Sequence, residues 1–260
     1  MRGTARHTTR AKDVPGSPAW WTKKSSTSAR TRAVPVTLER IVDAAIQFID
    51  REGLGELSMR RLASELDTGT TTLYRHVSSK EEVLVLVVDA VFAEVEFQVP
   101  EPNIGWRELL GDLARSMRST LSNHSHVANL FALSVPIGPN SLRAREVILG
   151  ALRNRGFESS LAADVYTALA HHVLASVLQQ SMTDYRGDPT SNGSATTLRS
   201  FYRSLPKQSY PHIVELANQL TSRSAEEEFD FALNCFFDGV ELRLSVASQK
   251  RGARKRLVGT

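Results

Sequence analysis

The sequence SMRRLASELDTGTTTLYRHV, residues 58–77, contains two short helical patterns separated by a break. Serine is a preferred N-cap, so Ser58 predicts the start of the first helix. The apolar positions of this helix recur three and four residues apart: Met59, Leu62, Ala63 and Leu66. After the break, Leu73 and Val77 place an apolar face on a second short segment. The stretch therefore predicts a tight pair of short helices.

The remaining side of the second segment is rich in hydrogen-bond donors and contains no acid. Its residues are Thr68, Gly69, Thr70, Thr71, Thr72, Tyr74, Arg75 and His76. Arginine donates two hydrogen bonds to guanine, threonine methyls contact the thymine methyl, and hydroxyl or imidazole groups donate to phosphate oxygens. Two short helices that follow a longer one form the helix-turn-helix plan, in which the second short helix enters the major groove of DNA.

Longer helices are predicted on both sides of this pair. Before it, Thr37 predicts the N-cap and Gly53 the C-terminal end of one helix. The apolar stripe of that helix is Leu38, Ile41, Val42, Ala45, Phe48 and Ile49. After the pair, Ser78 and Ser79 each precede a glutamate by three residues, which predicts a capping box for a helix that continues to Phe97.

Lys80 lies in the first turn of this last helix, where a cation opposes the helix dipole. The placement is explained if Lys80 and the helix N-terminus together bind one DNA phosphate. The alternative is a solvated lysine that points away from DNA.

Three segments carry a resemblance to a known family: SMRRLA at 58–63, TLYRHV at 72–77 and SKEE at 79–82. They resemble the DNA-binding domain of the tetracycline-repressor (TetR) family, over about residues 35–95. The resemblance implies base contacts by Arg60, Thr70, Thr71 and Arg75. It implies phosphate contacts by Ser58, Thr72, Tyr74, His76 and Lys80.

The sequence departs from the family pattern at the turn. Asp67 stands where glycine is usual, and Gly69 stands where a capping serine is frequent. Aspartate tolerates the left-handed conformation, so we expect Asp67 to adopt it and the turn to be kept. We expect Thr68 or Thr70 to cap the second short helix in place of serine.

The formal net charge of +4 conceals an uneven distribution. Residues 1–34 carry eight bases and one acid, and residues 249–260 carry five bases and no acid, which leaves a net charge of −8 for residues 35–248. Both ends are predicted to be disordered tails that contact a polyanion, with plain solubilising tails as the alternative. Residues 35–95 hold six bases and eleven acids, so DNA binding depends on where the cations lie.

Residues 100–248 predict a helical bundle. Candidate helices span 106–123, 125–133, 141–155, 159–183, 211–220 and 225–246, with a mobile loop at 184–208. Ser224 and Glu227 predict a capping box for the last of them. This part resembles the ligand-binding and dimerisation domain of the TetR family. The predicted fold is therefore all-α, with an N-terminal helix-turn-helix domain and a C-terminal bundle.

Two sets of residues carry the predictions for this bundle. The resemblance implies that helices 159–183 and 225–246 form a dimer interface, at Val165, Val173, Phe229, Leu233, Phe236 and Val240. The apolar pattern agrees, because two apolar faces on the last helix indicate a core and a partner. A ligand pocket is predicted at polar and aromatic residues on otherwise apolar helices: Trp106, His124, His126, Phe131, Tyr166, His171 and Gln179, with Asn129, His172 and Gln180 as further polar positions. A core or capping role is the alternative for each.

The sequence lacks the residues that are characteristic of several other protein classes. The single cysteine, Cys235, excludes an internal disulfide framework and a cysteine-cluster metal site. A nucleophile elbow of the Gly-x-Ser-x-Gly type is absent, and the aliphatic run at 83–88 is too short to span a membrane. The N-terminus carries arginines without the apolar stretch of a secretory signal.

Together these features predict a cytoplasmic, non-enzymatic transcriptional regulator without cofactor or metal. The resemblance implies a homodimer that binds a palindromic operator in double-stranded DNA and is released by a small-molecule effector, as a repressor. The alternatives are a DNA-binding architectural protein without a ligand and a helical-bundle metalloenzyme. The latter would need paired Glu-x-x-His motifs, of which only a reversed His212–Glu215 pair is present.

Overall fold

The computed structural model describes residues 14–26, 36–95, 104–131, 135–185 and 191–258. Within these ranges all regular secondary structure is helical, which confirms the predicted all-α class. The α-helices are α1 (Pro18–Ser26), α2 (Leu38–Glu52), α3 (Met59–Glu65), α4 (Thr70–Leu73), α5 (Lys80–Ala93), α6 (Trp106–Asn123), α7 (Ser125–Phe131), α8 (Pro139–Asn154), α9 (Ser159–Tyr185), α10 (Ser191–Ser204), α11 (Pro211–Glu215) and α12 (Ala225–Val258). Short 3-10 turns occupy Leu54–Glu56 and Gln219–Thr221.

The chain divides into two compact units. Unit 1 falls within residues 1–99 and 119–150, and unit 2 falls within 100–118 and 151–260. The division therefore lies inside α6 and inside α8, whereas the sequence predicted one boundary near residue 100. In unit 1 the helices of the predicted DNA-binding domain share their core with α7, because α7 packs against both α2 and α5.

Helix α2 organises unit 1. The Thr37 hydroxyl accepts the Arg40 N–H at 3.2 Å, and Gly53 ends the helix at φ +87°, so both predicted ends are confirmed. Its predicted apolar stripe is buried against α3, α5 and α7, with Leu38 half-buried at its start. This packing supplies most of the stability of α2, because an isolated helix of 15 residues is marginal in water.

The predicted disorder of residues 1–34 is wrong for the part that the structure describes. Helix α1 begins at Pro18 after Ser17, whose hydroxyl accepts the Trp20 N–H at 3.2 Å. Trp20 is only 9% exposed, and its ring packs edge-on against Trp21 with centroids 4.6 Å apart. Burial of these indoles orders a segment that has no helical periodicity of its own. Residues 1–13 and 27–34 lie outside the described residues.

In unit 2, α9 packs against α12 and buries one side of each helix. The predicted capping box at the start of α12 is confirmed, since the Ser224 hydroxyl accepts the Glu227 N–H and the Glu227 carboxylate accepts the Ser224 N–H. The Ser159–Gln180 part of α9 is long and apolar enough to span a membrane, with a mean hydropathy of 1.3. It nevertheless packs against α12, with Val165, Leu169, Val173 and Val177 buried. Apolar composition alone is therefore weak evidence for a membrane.

The predicted mobile loop at 184–208 is wrong for residues 191–204, which form α10. Two arginines of α10 form hydrogen bonds with residues in and beside the 3-10 turn Gln219–Thr221. Arg199 Nε donates to Thr221 Oγ1 at 2.8 Å, and Arg203 donates to Asn218 Oδ1 at 2.8 Å. These bonds join residues about 15 to 22 positions apart, so local composition could not reveal them. Residues 186–190 lie outside the described residues.

The predicted disordered tail at 249–260 is also wrong, because α12 continues to Val258. Arginine, lysine and alanine are good helix formers, and one glycine, Gly252, is too weak a breaker to end a helix that already spans more than twenty residues. The high positive charge of this segment was therefore a poor guide to disorder. Residues 259–260 lie outside the described residues.

Candidate nucleic-acid interface

Helix α3 and the turn after it have the predicted geometry. The Ser58 hydroxyl accepts the Arg61 N–H at 3.3 Å, which caps α3. After Leu66 the chain reverses at Asp67, whose φ of +49° confirms the expected left-handed conformation. The Thr68 N–H then donates to the Ala63 carbonyl at 2.9 Å and closes the turn. An aspartate thus replaces the usual glycine without loss of the motif.

Helix α4 is shorter than the sequence suggested and begins differently. Gly69 is its N-cap, in an extended conformation and without a side-chain hydrogen bond, so the expected cap by Thr68 or Thr70 is wrong. The Gly69 carbonyl accepts the Thr72 N–H at 2.9 Å and starts the helix through the backbone alone. Leu73 and Val77, both at most 2% exposed, anchor the segment in the core of unit 1.

Burial separates the predicted DNA contacts into two groups. Ser58, Arg60, Thr71, Tyr74 and Arg75 are exposed, and Thr70, Thr72, His76 and Lys80 are half-buried. Tyr74 is 53% exposed although tyrosine is largely apolar, so its ring stands at the surface without a partner from the core. The side of α4 opposite Leu73 therefore offers hydroxyl, phenol and guanidinium groups to an external ligand.

The arginines of this region differ in whether a carboxylate holds them. Arg61 pairs with Glu56, and Arg51 donates to Glu65 at 3.0 Å. Arg60 and Arg75 form no salt bridge with any of the described residues. An arginine that is paired with a carboxylate must break that pair to bind DNA. Arg60 and Arg75 are therefore more available than Arg51 and Arg61 for hydrogen bonds to bases.

His76 is less available than predicted. Its ring is half-buried, and Nε2 is buried without a hydrogen-bond partner among the described residues. A phosphate contact by His76 therefore depends on Nδ1 or on a rotation of the ring.

The N-terminus of α5 is held by a network of three residues. The Ser79 hydroxyl accepts the Glu82 N–H at 3.3 Å, and the Glu82 carboxylate accepts the Ser78 N–H at 2.8 Å and its hydroxyl at 2.6 Å. Lys24 of α1 pairs with the same carboxylate. Burial raises the pKa of Glu82, but Lys24 and Ser78 lower this pKa by more, so the carboxylate stays ionised. The sequence missed Lys24 because it was assigned to a disordered tail.

Lys80 follows directly on this network. It is half-buried in the first turn of α5 and forms no salt bridge with the described residues. A cation so placed, beside the free N–H groups of a helix, is suited to a phosphate oxygen.

Sequence models of two domains match the chain. The model for bacterial regulatory proteins of the tetR family matches residues 41–87, and the model for the tetracyclin repressor-like C-terminal domain matches residues 99–244. The protein belongs to the TetR family of transcriptional regulators. Members of this family are DNA-binding regulators and not enzymes.

Two curated relatives of this TetR regulator are similar over most of its length. An HTH-type transcriptional regulator from Saccharopolyspora erythraea is 34% identical over 194 residues, which are 74% of this chain and 80% of the relative. The HTH-type transcriptional repressor DrrR1 from Streptomyces coeruleorubidus is 30% identical over 221 residues, which are 84% of this chain and 80% of the relative.

Solved structures of the TetR protein ActR from Streptomyces coelicolor share the fold. Apo ActR aligns with a TM-score of 0.71 at 37% identity, over 80% of this chain and 96% of ActR. ActR in complex with actinorhodin aligns with a TM-score of 0.72 at 38% identity, over the same shares of both chains. A third structure contains ActR with (S)-DNPA.

The predicted effector residues of this TetR regulator are divided between the units. His124, His126, Asn129 and Phe131 belong to unit 1, and Trp106, Tyr166, His171, His172, Gln179 and Gln180 belong to unit 2. Phe131 packs on Phe92 with centroids 5.3 Å apart, and Trp106 packs edge-on against Phe157 and Phe237 at 5.6 Å. His171 and Gln179 are exposed, and Tyr166 is half-buried.

His124 has a structural role. Its Nδ1 lies 2.6 Å from Asp50 Oδ2 at the end of α2, and its Nε2 lies 2.8 Å from Glu94 Oε2 after α5. Both ring nitrogens are therefore engaged, and neither is free to bind an effector in this structure. The His126 ring lies beside Gly53.

Most of the residues predicted for the dimer interface are buried within the single chain. Val165, Val173, Phe229, Leu233 and Val240 are at most 3% exposed in the single chain, and Phe236 is half-buried. The five buried side chains are therefore part of the core of one protomer. Among the α12 side chains that the structure describes, up to Val246, the apolar Phe231, Cys235, Leu242 and Val246 are exposed.

Proposed function

We propose that this TetR regulator is a cytoplasmic homodimeric repressor that binds a palindromic operator and is released by a small-molecule effector. The observation that carries the proposal is the exposed surface of residues 70–76, which are α4 and the turn after it. This surface holds no acid and includes Arg75, a guanidinium without a salt bridge to the described residues. A surface of this composition is suited to the edges of bases and to phosphates.

The proposed contacts are those that the resemblance to the TetR family implies. Arg60, Thr70, Thr71 and Arg75 read bases, and Ser58, Thr72, Tyr74, His76 and Lys80 contact phosphates. Ser58 keeps a hydroxyl hydrogen to donate even while its oxygen caps α3. The acids of α2 lie on a different helix from these contacts.

The proposed dimer uses a face of α12 that the sequence missed. Phe231, Cys235, Leu242 and Val246 recur at spacings of four, seven and four residues, so they share one side of the helix. Leu242 is 66% exposed and Phe231 is 56% exposed in the single chain. An apolar stripe of this kind on a soluble helix is suited to a matching copy across a two-fold axis. Such a dimer presents two copies of α4 to half-sites about one DNA turn apart.

Release by an effector requires a difference in affinity between two conformations. To weaken DNA binding 100-fold, the effector must bind the off-DNA form about 2.7 kcal/mol more tightly, at about 1.4 kcal/mol per tenfold. Helices α6 and α8 each contribute residues to both units, so they are the proposed route by which binding in unit 2 alters unit 1.

The test is an electrophoretic mobility assay with the DNA that flanks the protein's own coding sequence. We expect retardation of a fragment that contains an inverted repeat, and release when an effector is added. Actinorhodin and (S)-DNPA are the first compounds to test, because both are bound by ActR. Absence of binding to any flanking fragment would contradict the proposal, and binding that no compound alters would favour an architectural role.

A further inference from the structure

Helix α1 and the residues just before it cover one face of α5 in unit 1. Lys24 pairs with Glu82 in the first turn of α5. Gly16 lies against Val85, since a Cβ on this glycine would come 3.1 Å from the valine side chain. Glu82 and Val85 are three residues apart and therefore share a face of α5. Helix α1 precedes residue 41, where the match to the tetR-family model begins, so Lys24 lies outside the matched motif.

The ammonium group of Lys24 is held in place by its surroundings. Its side chain is 21% exposed, and Nζ lies 5.2 Å from the centroid of the Trp20 ring, which is itself buried. A cation over an indole face is attracted by the ring electrons. Trp20 is fixed in turn by the hydrogen bond from its N–H to the Ser17 hydroxyl. Lys24 is therefore a placed cation and not a mobile surface lysine.

The Glu82 carboxylate lies at the N-terminal end of α5. Its side chain is 8% exposed, and Oε2 accepts both the N–H and the hydroxyl of Ser78, which precedes the helix. Oε1 accepts the bond from Lys24. The carboxylate is ionised at neutral pH, because the effect of burial on its pKa is outweighed by Lys24 and Ser78. A fixed negative charge thus lies at the same end of the helix as Lys80.

This negative charge conflicts with a DNA phosphate at the same end of α5. The N–H groups of the first turn and Lys80 favour an anion there, but a second anion repels it. Glu81, the other acid of this turn, is exposed and screened by water, whereas Glu82 is buried and screened less. The pair with Lys24 is electrically neutral. Lys24 therefore removes a repulsion that the capping glutamate would otherwise bring to the phosphate contact.

We propose that Lys24 is a positioning residue for DNA binding, which neutralises Glu82 and so keeps the N-terminus of α5 receptive to a phosphate. Lys24 stays paired with Glu82 and does not touch DNA itself. The proposal rests on the proposed function, because it takes Lys80 and the start of α5 as a phosphate contact. The buried ion pair at this end of the helix is the observation that supports it.

The experiment is a double-mutant cycle on the full chain. Binding is titrated with the flanking fragment that contains the inverted repeat and with an unrelated duplex. Lys24→Gln leaves the Glu82 charge unpaired, so affinity should fall about tenfold on both duplexes, because like charges at an interface repel and phosphate contacts do not depend on sequence. The double variant Lys24→Gln, Glu82→Gln should recover to within about twofold of the native protein, since glutamine serves in a capping box as glutamate does.

Two control variants and a stability measurement separate charge from folding. Lys24→Arg keeps the cation and should bind like the native protein. Lys23→Gln removes one positive charge from the same helix, and its effect should be the same with or without Glu82→Gln. Urea unfolding of each variant reports the stability of the fold. A role of Lys24 in folding alone predicts no recovery in the double variant, because the second change removes a further bond to α1.

Four outcomes would overturn the proposal. Lys24→Gln could bind like the native protein, the double variant could bind as weakly as Lys24→Gln, or the loss could be confined to the inverted repeat. A salt slope that falls by about 1 in Lys24→Gln and stays low in the double variant would instead show that Lys24 contacts a phosphate directly.

Glu82→Gln alone supplies the test if Lys24→Gln does not fold. This change removes the negative charge and leaves the cation, so DNA affinity should equal or exceed that of the native protein, and weaker binding would overturn the proposal. Retardation of the inverted repeat by the native chain reports on the proposed function. If it is absent, the proposed function fails, and the unrelated duplex still tests Lys24, because non-specific binding also uses phosphates.

Discussion

Arg75 and Lys80 divide two kinds of DNA contact between them. Arg75 is exposed on the base-reading side, and Lys80 is half-buried at the N-terminus of α5. We predict that Arg75→Ala costs about 1–3 kcal/mol of operator affinity and relaxes the preference for the operator over other sequences. Lys80→Ala should weaken all sequences alike and reduce the salt slope by about 1.

Competition titrations at several salt concentrations measure both effects. Arg61→Ala is the control, because Arg61 is occupied by Glu56 and lies over Phe48 at 5.4 Å. A uniform loss across all sequences for both Arg75→Ala and Lys80→Ala would contradict the division of roles.

His124 makes the stability of unit 1 depend on pH. Burial lowers the pKa of His124, but the carboxylates of Glu94 and Asp50 raise it by more, so the net shift is upward from 6.5. The protonated ring is therefore favoured in the folded state. Its contribution to stability is full below about pH 6.5 and is lost as pH rises through the higher folded-state pKa.

Urea unfolding between pH 6 and pH 9 tests this behaviour of His124. We predict that the denaturation midpoint of the native protein falls as pH rises, and that His124→Gln shows a flatter profile. His126→Gln serves as the control, because His126 forms no salt bridge with the described residues. Parallel profiles for the native protein and His124→Gln would be inconsistent with the prediction.

Gly138 is required by the close approach of a buried carboxylate. Asp89 is 6% exposed and accepts hydrogen bonds at the start of α8 from the Ser141 hydroxyl at 2.8 Å and from the Ser141 N–H at 3.0 Å. A Cβ at Gly138 would overlap the Asp89 carboxylate and the Trp21 ring. We predict that Gly138→Ala lowers the free energy of unfolding by about 1–3 kcal/mol, because it displaces this group.

The matched control for Gly138→Ala is Gly150→Ala in the helix that follows it, α8. A Cβ at Gly150 meets nothing within 4 Å, so this change should be neutral or stabilise by up to about 1 kcal/mol. Chemical denaturation of both variants gives the comparison. If the two variants had the same free energy of unfolding, the Asp89 carboxylate would be able to move aside without loss of stability, which would contradict the prediction.

The sequence correctly predicted the starts of those helices that are capped by a nearby side chain. Thr37, Ser58 and the Ser224–Glu227 pair cap their helices as the sequence indicates, because a cap bonds to backbone within four residues. Helices α1 and α10 escaped prediction because distant partners hold them, Lys24 with Glu82 and Arg199 with Thr221. The same reason explains why most residues predicted for the dimer face are buried in the single chain, since periodicity does not tell which side of α12 meets α9.

The position of α1 sharpens the test of the basic N-terminal segment. Because α1 packs in unit 1 through Trp20 and Lys24, deletion of residues 1–34 would disturb folding and DNA binding together. Residues 1–13 alone carry four bases and one acid. We predict that removal of residues 1–13 weakens DNA binding and lowers the salt slope by about 0.9 for each phosphate that is no longer neutralised.

Binding titrations from low to high salt measure the slope. A second variant replaces Arg2, Arg6, Arg10 and Lys12 by glutamine, which keeps the length and removes the charge. Both variants should behave alike, and an unchanged slope in either would show that this segment does not contact DNA.

In the assembled dimer, two copies of α4 must act together. We predict that Leu242→Glu, a charge in the middle of the exposed stripe on α12, converts the dimer to a monomer in sedimentation equilibrium. Operator affinity should fall by about 100-fold or more, because two linked contacts gain avidity of that order. Leu216→Glu is the control, since Leu216 is 44% exposed and lies outside the stripe. Retention of the dimer by Leu242→Glu would reject this interface.

On DNA, the two copies of α4 should occupy successive major grooves of one operator. Hydroxyl-radical footprinting of the full chain on its own flanking DNA is the decisive experiment for this arrangement. We predict two protected segments related by two-fold symmetry, with centres about 10 base pairs apart or a multiple of that spacing, and loss of both in Arg75→Ala at the same protein concentration. A single protected segment, or protection that Arg75→Ala leaves intact, would refute paired groove binding by α4.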